Sequence, residues 1–168
     1  MRRDTYRFNL SGEGGLATAV TKAASAAPSA ADYKLDRFSE LIVTLNITSA
    51  ERDTANETYD FYIITGDGIT EWDLVHFPQI ATTGAKQFMA RVTSGAGTPR
   101  NTTTAAPGVE AVDSGTLATV SGGTNAPKSL AAGSVRHGPF GHMLRYELVV
   151  AGTVVTGIVY SITVEAKQ

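Results

Sequence analysis

The sequence predicts an all-β protein, an antiparallel β-sandwich or jelly roll, with an arm at its beginning and a long inserted loop. Apolar and polar residues alternate through residues 143–150 and again through 158–165. Period-two alternation places one set of side chains on a core and the other toward water. Gly152 lies between the two runs, where a chain reversal favours glycine. The two runs therefore predict a hairpin, and other runs with turns about every eight to twelve residues extend it to a sandwich.

Shorter runs of the same kind come before this hairpin. Residues 40–48 and 57–65 alternate over their whole length, and each run predicts a core strand. A third strand begins near Trp72, and Pro78 limits it to the edge or the end of a sheet. Residues 87–92 predict a fourth strand. No period of about 20–50 residues repeats, which argues against solenoids and propellers.

The first part of the chain differs from the rest. We interpret residues 1–33 as an N-terminal arm and residues 34–168 as the single β domain that carries it. Tyr6 and Phe8 alternate with polar neighbours and predict one short strand. Residues 16–27 could form a helix, but their apolar side chains are mostly alanine and bury little surface. Such a segment needs a partner to hold it in place.

Residues 93–137 predict a long excursion from the sheet, because Gly, Thr, Ala, Ser and Pro dominate there. A loop of that length without structure of its own is unusual in a compact domain. It could contain a short hairpin of residues 109–112 with residues 117–120. An excursion from a rigid β scaffold serves either as a contact element or as a mobile surface loop, and the sequence leaves both open.

Composition excludes several classes of function. The 168 residues carry a net charge of −2, which gives no electrostatic attraction to nucleic acid. Cysteine is absent, so disulfides, thiol catalysis and cysteine zinc sites are excluded. No apolar stretch follows the basic N-terminus and none is long enough to cross a membrane, so we expect synthesis in the cytoplasm.

Three carboxylates lie close together around the glycine-rich turn at residues 66–68. Asp67, Glu71 and Asp73 could hold Ca²⁺, because carboxylate oxygens are its preferred ligands. The alternating acids and terminal glutamate of the usual calcium loop are missing. A solvated turn capped by aspartate is the interpretation that we favour, and we expect no metal.

The three histidines do not indicate a metal or catalytic site. His76, His137 and His142 lack the spacings of metal-binding motifs, although His137 and His142 flank one turn and could meet in space. No serine lies in a nucleophile elbow, and the phosphate-binding and dinucleotide fingerprints are absent. We therefore expect surface or interface histidines, no catalytic residue and no cofactor.

Aromatic side chains are the other candidates, because sugar-binding modules stack sugar rings on exposed aromatic groups. Three tyrosines are in phase with the aliphatic residues of their strands and are expected in the core: Tyr59, Tyr146 and Tyr160. The candidates for stacking are Tyr62, on the opposite face of its strand, Trp72, beside a turn, and Phe140.

The arm supplies a second group of possible contact residues. Arg2, Arg3 and Arg7 form a small basic cluster that could touch an acidic neighbouring subunit, and a solvated terminus is the alternative. The predicted partner contacts are Arg2, Arg3, Tyr6, Arg7, Phe8, Tyr62, Trp72 and Phe140.

Several segments, taken in order, resemble a family of virion proteins. Residues 41–50 and 59–68 give a pattern of strand, polar turn, strand and Asp-Gly turn, followed by Glu71-Trp72-Asp73-Leu74 and residues 77–80. The pattern closes with residues 141–148, Ala151-Gly152 and residues 160–164. This resembles the short β-sandwich virion proteins of tailed bacteriophages. The likeness covers about residues 40–92 and 136–167, and the excursion at 93–137 departs from it.

The resemblance implies a structural role. Such proteins decorate or complete the phage head, so it implies a capsid decoration or cement protein on the outer surface of the virion, made in the host cytoplasm. Its partners would be the major capsid protein and further copies of itself, as a homotrimer. A neck or tail accessory protein and a carbohydrate-binding module on the virion are the alternatives. In this picture the arm and the excursion lie over neighbouring subunits, and many modest contacts combine on a symmetric shell.

Overall fold

A computed structural model describes residues 4–12, 20–52, 54–94, 104–106, 109–111 and 130–168. In these residues the protein is all-β, with two main antiparallel sheets packed as a sandwich, and the predicted fold class is confirmed. One 3₁₀ turn, Leu35–Arg37, is the single helical element of the described part. The strands are β1 (Thr5–Asn9), β2 (Val20–Lys22), β3 (Ala31–Asp32), β4 (Glu40–Ala50), β5 (Thr58–Gly66), β6 (Glu71–His76), β7 (Lys86–Thr93), β8 (Thr104–Ala106), β9 (Val109–Ala111), β10 (Ser134–Val135), β11 (Met143–Ala151) and β12 (Ile158–Lys167).

The two sheets take their strands from distant parts of the chain. The first sheet has the order β1-β12-β4-β7. β1 and β2 pair with the same edge of β12, β1 with residues 163–167 and β2 with residues 158–160. The second sheet has the order β10-β6-β5-β11-β3. The predicted hairpin of β11 with β12 is wrong, because the two strands belong to different sheets: β11 pairs with β5 and β12 pairs with β4. The turn at Gly152 instead carries the chain from one sheet to the other.

The core lies between the two sheets and is built by the alternation seen in the sequence. Tyr59 and Tyr160 are completely buried and Tyr146 nearly so, which confirms the predicted core tyrosines. The rings of Phe61 and Tyr160 meet edge-on across the sandwich, with centroids 4.7 Å apart. The hydroxyl of Tyr160 donates to that of Tyr146 at 3.1 Å, so these polar atoms are satisfied inside the core.

A β-bulge breaks the alternation of β6. Ile63 pairs with Val75 and Ile64 with Asp73, so Leu74 is an extra residue on β6. As a result Asp73 and His76 lie on the same outer face of the second sheet. In a strand without a bulge, two residues three positions apart would lie on opposite faces. Leu74 itself is buried.

The described residues of the N-terminal segment belong to both sheets. β1 and β2 pair with β12, Ala26 pairs with Leu148, and β3 pairs with the start of β11. The segment therefore passes from the edge of the first sheet to the edge of the second. The possible helix over residues 16–27 is wrong for Val20–Lys22, which is a strand because β12 offers it backbone partners. Contact of this segment with neighbouring subunits stays a prediction.

The excursion at 93–137 is described only in part. Val109–Ala111 does form a hairpin strand, but its partner is Thr104–Ala106 on its N-terminal side. The predicted partner, residues 117–120, lies outside the described residues. The chain rejoins the sandwich at β10, which adds a short edge strand to β6.

Candidate functional site

The outer face of the first sheet carries an uncharged patch at its centre. Asn9, Thr163, Thr44 and Met89 lie side by side on four adjacent strands, β1, β12, β4 and β7. The next row consists of Asn46 and Gln87, beside Ser161, which is only 8% exposed. We call the six accessible side chains of the two rows, without Ser161, the uncharged patch. They point outward because the alternate positions of the same strands, among them Val43, Leu45, Ile162 and Val164, are buried in the core.

Ion pairs border the uncharged patch on one side. Arg7 pairs with Glu165, and Glu40 receives Arg91 Nε at 2.6 Å and Lys167 Nζ at 2.7 Å. Burial alone would raise the pKa of the Glu40 carboxyl, but the hydrogen bonds from Lys167 and Arg91 outweigh it and the pKa lies below its ordinary value. These pairs join opposite charges, so the border of the patch carries little net charge.

A different chemistry occupies the outer face of the second sheet. His76 is buried, with Nδ1 2.8 Å from the carbonyl oxygen of Leu130 and Nε2 3.2 Å from Asp60 Oδ1. The ring of Tyr62 stacks on the imidazole with centroids 4.0 Å apart. Burial, together with the negative charges of Asp60, Asp73 and Glu147, raises the pKa of the Tyr62 phenol.

Charged side chains continue along this face toward β11. Asp73 is fully buried and accepts the backbone N–H of Leu130 at 3.0 Å. Burial lowers the pKa of Arg136, and the charge of Asp73 opposes that shift. Arg145 donates to both carboxylate oxygens of Glu71, at 2.9 and 2.7 Å, and these bonds lower the pKa of the Glu71 carboxyl and raise that of Arg145.

The contacts of this second face hold the chain in place. Ser134 lies opposite His76 in the register of β10 and β6. However, both ring nitrogens of His76 already face oxygen atoms, of Leu130 and Asp60, so neither is directed at the serine. These contacts fasten the end of the excursion, residues 130–136, to the sheet. Within the described ranges, no group of three or more His, Asp or Glu side chains is arranged to bind a metal.

The three carboxylates of the glycine-rich turn have separate partners. Asp67 Oδ1 accepts the backbone N–H groups of Ile69 and Thr70, which makes it the cap of its turn, and these bonds lower its pKa. Glu71 binds Arg145 and Asp73 binds the backbone of Leu130. The geometry is that of a capped turn, and the calcium alternative gains no support from it.

The other two histidines contact residues at the ends of strands and in a turn. His137 Nδ1 accepts the backbone N–H of Thr93 at 3.1 Å. His142 is placed between Asp32, whose Oδ1 is 3.4 Å from Nδ1, and the carbonyl oxygen of Asp67, 2.9 Å from Nε2. His137 and His142 thus have different partners.

The predicted contact residues of the arm are placed as follows. Arg2 and Arg3 lie outside the described residues. Tyr6 and Phe8 are half-buried, with Tyr6 against Phe38 at 5.2 Å between ring centroids. Arg7 is exposed and paired with Glu165 on the opposite side of β1 from these two rings.

The three candidate stacking groups do not share one surface. Tyr62 is half-buried on the outer face, whereas Trp72 pairs with Thr65 and so lies on the opposite face of the sheet, packed against the core. Phe140 is only 7% exposed and belongs to the core, which corrects its prediction as a contact residue. The neighbouring turn residues Pro139 and Gly141 suggest that Phe140 is exposed, but its ring packs in the core.

Sequence reasoning missed the uncharged patch. A signal was available, because outward positions of surface strands usually include charged residues, whereas Thr44, Asn46 and Thr163 are uncharged. The composition also indicates it, because only 18% of the residues in the chain are charged.

The geometry defines the protein as an antiparallel two-sheet sandwich with an uncharged patch on the outer face of its first sheet. No protein-family model, no curated protein and no solved structure matches the chain. In the part of the chain that the structure describes, no helix has the length and apolar character to cross a bilayer.

Proposed function

We propose that the protein is a structural subunit that binds a larger protein assembly through the uncharged patch, as a decoration or cement protein on the head of a tailed phage. The patch is the observation that carries the proposal. The centres of protein interfaces are depleted of charge, and charges that cannot be paired there cost several kcal/mol, roughly 3–5. The patch offers hydroxyl and amide groups, one thioether and no charge.

The rigidity of the patch supports the same role. Its side chains project from four hydrogen-bonded strands that are fixed from below by a continuous core. A preorganised surface loses little conformational entropy on binding. Many identical contacts on a symmetric shell then add up through avidity. The partners would be the major capsid protein and other copies of this chain, and we assign no catalytic residue or cofactor.

Binding to phage heads tests the proposal. Heads assembled without this protein are mixed with the wild type, with Thr44→Arg or Met89→Lys, which bring charge into the patch, or with Ile69→Lys. Ile69 is 95% exposed and lies in the turn between β5 and β6, so its variant is the matched control. After sedimentation, mass spectrometry counts the bound copies. We expect the wild type and the control to bind, and both patch variants to be lost from the particles.

Two results would contradict the proposal in different ways. Wild-type protein that stays in the supernatant would reject the virion role. Patch variants that bind as well as the wild type would reject the patch as the contact surface.

The copy number separates this role from the alternatives. A number close to that of the major capsid protein identifies decoration, and a few copies per particle identify a neck or tail position. The carbohydrate-binding alternative has no shared stacking surface, because Tyr62, Trp72 and Phe140 lie on different sides of the sheet or in the core.

A further inference from the structure

The N-terminal strand is seated in a groove that is more elaborate than an ordinary sheet edge. β1 pairs with β12 from Thr5 opposite Lys167 to Asn9 opposite Thr163. Beyond the strand, the N–H of Leu10 donates to the carbonyl of Ile162 at 2.9 Å, and the hydroxyl of Ser11 accepts the N–H of Ile162 at 2.9 Å. Seven consecutive residues, 5–11, therefore line this edge of β12.

Side-chain sockets add selectivity to this backbone pairing. The ring of Phe8 lies 4.6 Å from that of Tyr33 and 6.1 Å from that of Phe38. The guanidinium of Arg37 lies over the ring of Tyr6 at 4.7 Å from its centroid. The socket is formed by Tyr33, Arg37 and Phe38, which lie in or next to the 3₁₀ turn Leu35–Arg37 and do not belong to β1.

The connection between β1 and β2 is much longer than their positions require. Asn9 lies opposite Thr163 and Val20 lies opposite Tyr160, so the two strands are separated by only about 10 Å along β12, at roughly 3.3 Å per residue. Leu10 and Ser11 still bond to Ile162, so residues 12–19 complete the connection, and a chain of that length can span about 28 Å. Two or three residues would suffice if β1 always returned to its own β12.

We infer that the β12 edge with its aromatic socket is a strand-accepting site, and that a second copy of this chain donates its own β1 to it. The ligand class is an extended segment with two aromatic residues two positions apart, here Tyr6 and Phe8. Every contact of β1 can form within one chain or between two, so exchange adds no new interface and needs only a long connection. This inference deepens the self-association that belongs to the proposed function, but it does not require a capsid.

Cysteine pairs can detect the exchange in the full chain, because the protein has no cysteine of its own. Arg7 and Glu165 face each other in the register, which suits a disulfide between opposite strands. Protein with Arg7→Cys is mixed with an equal amount of protein with Glu165→Cys at high concentration, without any particle, and oxidised. We expect a disulfide-linked heterodimer on a non-reducing gel, several-fold more abundant than in a control mixture of Ile69→Cys with Glu165→Cys.

The double variant Arg7→Cys/Glu165→Cys tests the pairing itself. It should form a disulfide within or between chains, and failure to do either would overturn the pairing and the inference together. If the double variant is oxidised only within chains and the mixture gives no more heterodimer than the control, exchange is rejected. Because no capsid is present, this result does not depend on the proposed function.

A competing peptide tests the socket. A synthetic peptide of residues 4–12 should lower the yield of heterodimer, whereas the same peptide with Tyr6→Ala and Phe8→Ala should not. Equal competition by both peptides would reject the aromatic socket as the source of recognition. Competition by the wild-type peptide alone supports it.

Discussion

Thr93 and His137 are 44 positions apart in the chain and are in direct contact at the base of the excursion. The backbone N–H of Thr93 donates to His137 Nδ1 at 3.1 Å, and its hydroxyl oxygen lies 3.0 Å from the same nitrogen. The carbonyl of Thr93 accepts the N–H of Gly138 at 3.0 Å. The last residue of β7 is thereby joined to the point where the chain returns.

Replacing His137 tests the importance of this contact. His137→Leu leaves the N–H of Thr93 without its acceptor, and we expect the free energy of unfolding to fall by about 1–2 kcal/mol. Urea denaturation measures the difference. His137→Asn is the matched control, since its amide oxygen can take the position of Nδ1 and should restore most of the loss. Equal stability of the leucine variant and the wild type would contradict the assignment.

The ion pair of Arg145 and Glu71 predicts part of the acid sensitivity. Arg145 holds the pKa of Glu71 below its ordinary 4.5. The Glu71 carboxyl therefore binds a proton more tightly in the unfolded chain than in the folded protein. The stabilisation by the ion pair is complete above pH 4.5 and is lost as the pH falls through the lower pKa of the folded protein. We expect Arg145→Met to flatten the acid side of a plot of unfolding free energy against pH.

The control for this experiment is Arg91→Met. Glu40 keeps its bond to Lys167 in that variant, so its carboxyl remains stabilised and the acid limb should change less. An acid limb in Arg145→Met as steep as that of the wild type would show that Glu71 does not contribute.

The hydroxyl of Tyr160 predicts sensitivity to alkali. Burial raises the pKa of Tyr160 above its ordinary 10.0, and the hydrogen bond to Tyr146 adds to the shift. The unfolded chain ionises first, so the stabilisation is present below pH 10 and is lost as the pH rises toward the folded value. Tyr160→Phe should cost about 1 kcal/mol at neutral pH and make the alkaline limb less steep.

Ultraviolet absorbance of tyrosinate checks this directly. In the wild type, the tyrosinate signal of Tyr160 should appear together with loss of the β-sheet circular dichroism. A full tyrosinate signal from a protein that is still folded would refute the assignment.

Gly141 predicts a large effect from a single methyl group. A Cβ at this position would lie 2.0 Å from the carbonyl oxygen and 2.4 Å from the carbonyl carbon of Gly66, and backbone atoms cannot move aside as a flexible side chain can. We expect Gly141→Ala to lower the unfolding free energy by about 3 kcal/mol or more in urea. Gly84→Ala meets no atom within 4 Å and has only the strain of its positive φ, about 1–2 kcal/mol. Similar losses in the two variants would contradict the close approach.

The strands of the core could be predicted because their alternation is local. β4, β5, β7, β11 and β12 agree with the predicted runs within one or two residues. The partners of these strands could not be predicted in the same way, since the pairing of β1 with β12 or of β3 with β11 joins distant segments. Nothing in a short run of sequence specifies which edge it will meet.

Two further features of the structure could not be predicted from periodicity. The bulge at Leu74 changes the phase of β6, so periodicity does not show that Asp73 and His76 share a face. Phe140 was expected at a surface because it stands between turn-forming residues, yet its ring is in the core. The core tyrosines, by contrast, were predicted correctly because their strands have no interruption.

The position of β12 has a consequence for synthesis. This strand pairs with β1, β2 and β4, so the first sheet lacks its central member until residues 158–167 have left the ribosome. The earlier strands must wait in an incompletely closed state during translation, because the closing contacts have a high sequence separation. We therefore expect the nascent chain to acquire protease resistance in one step, once β12 has left the ribosome.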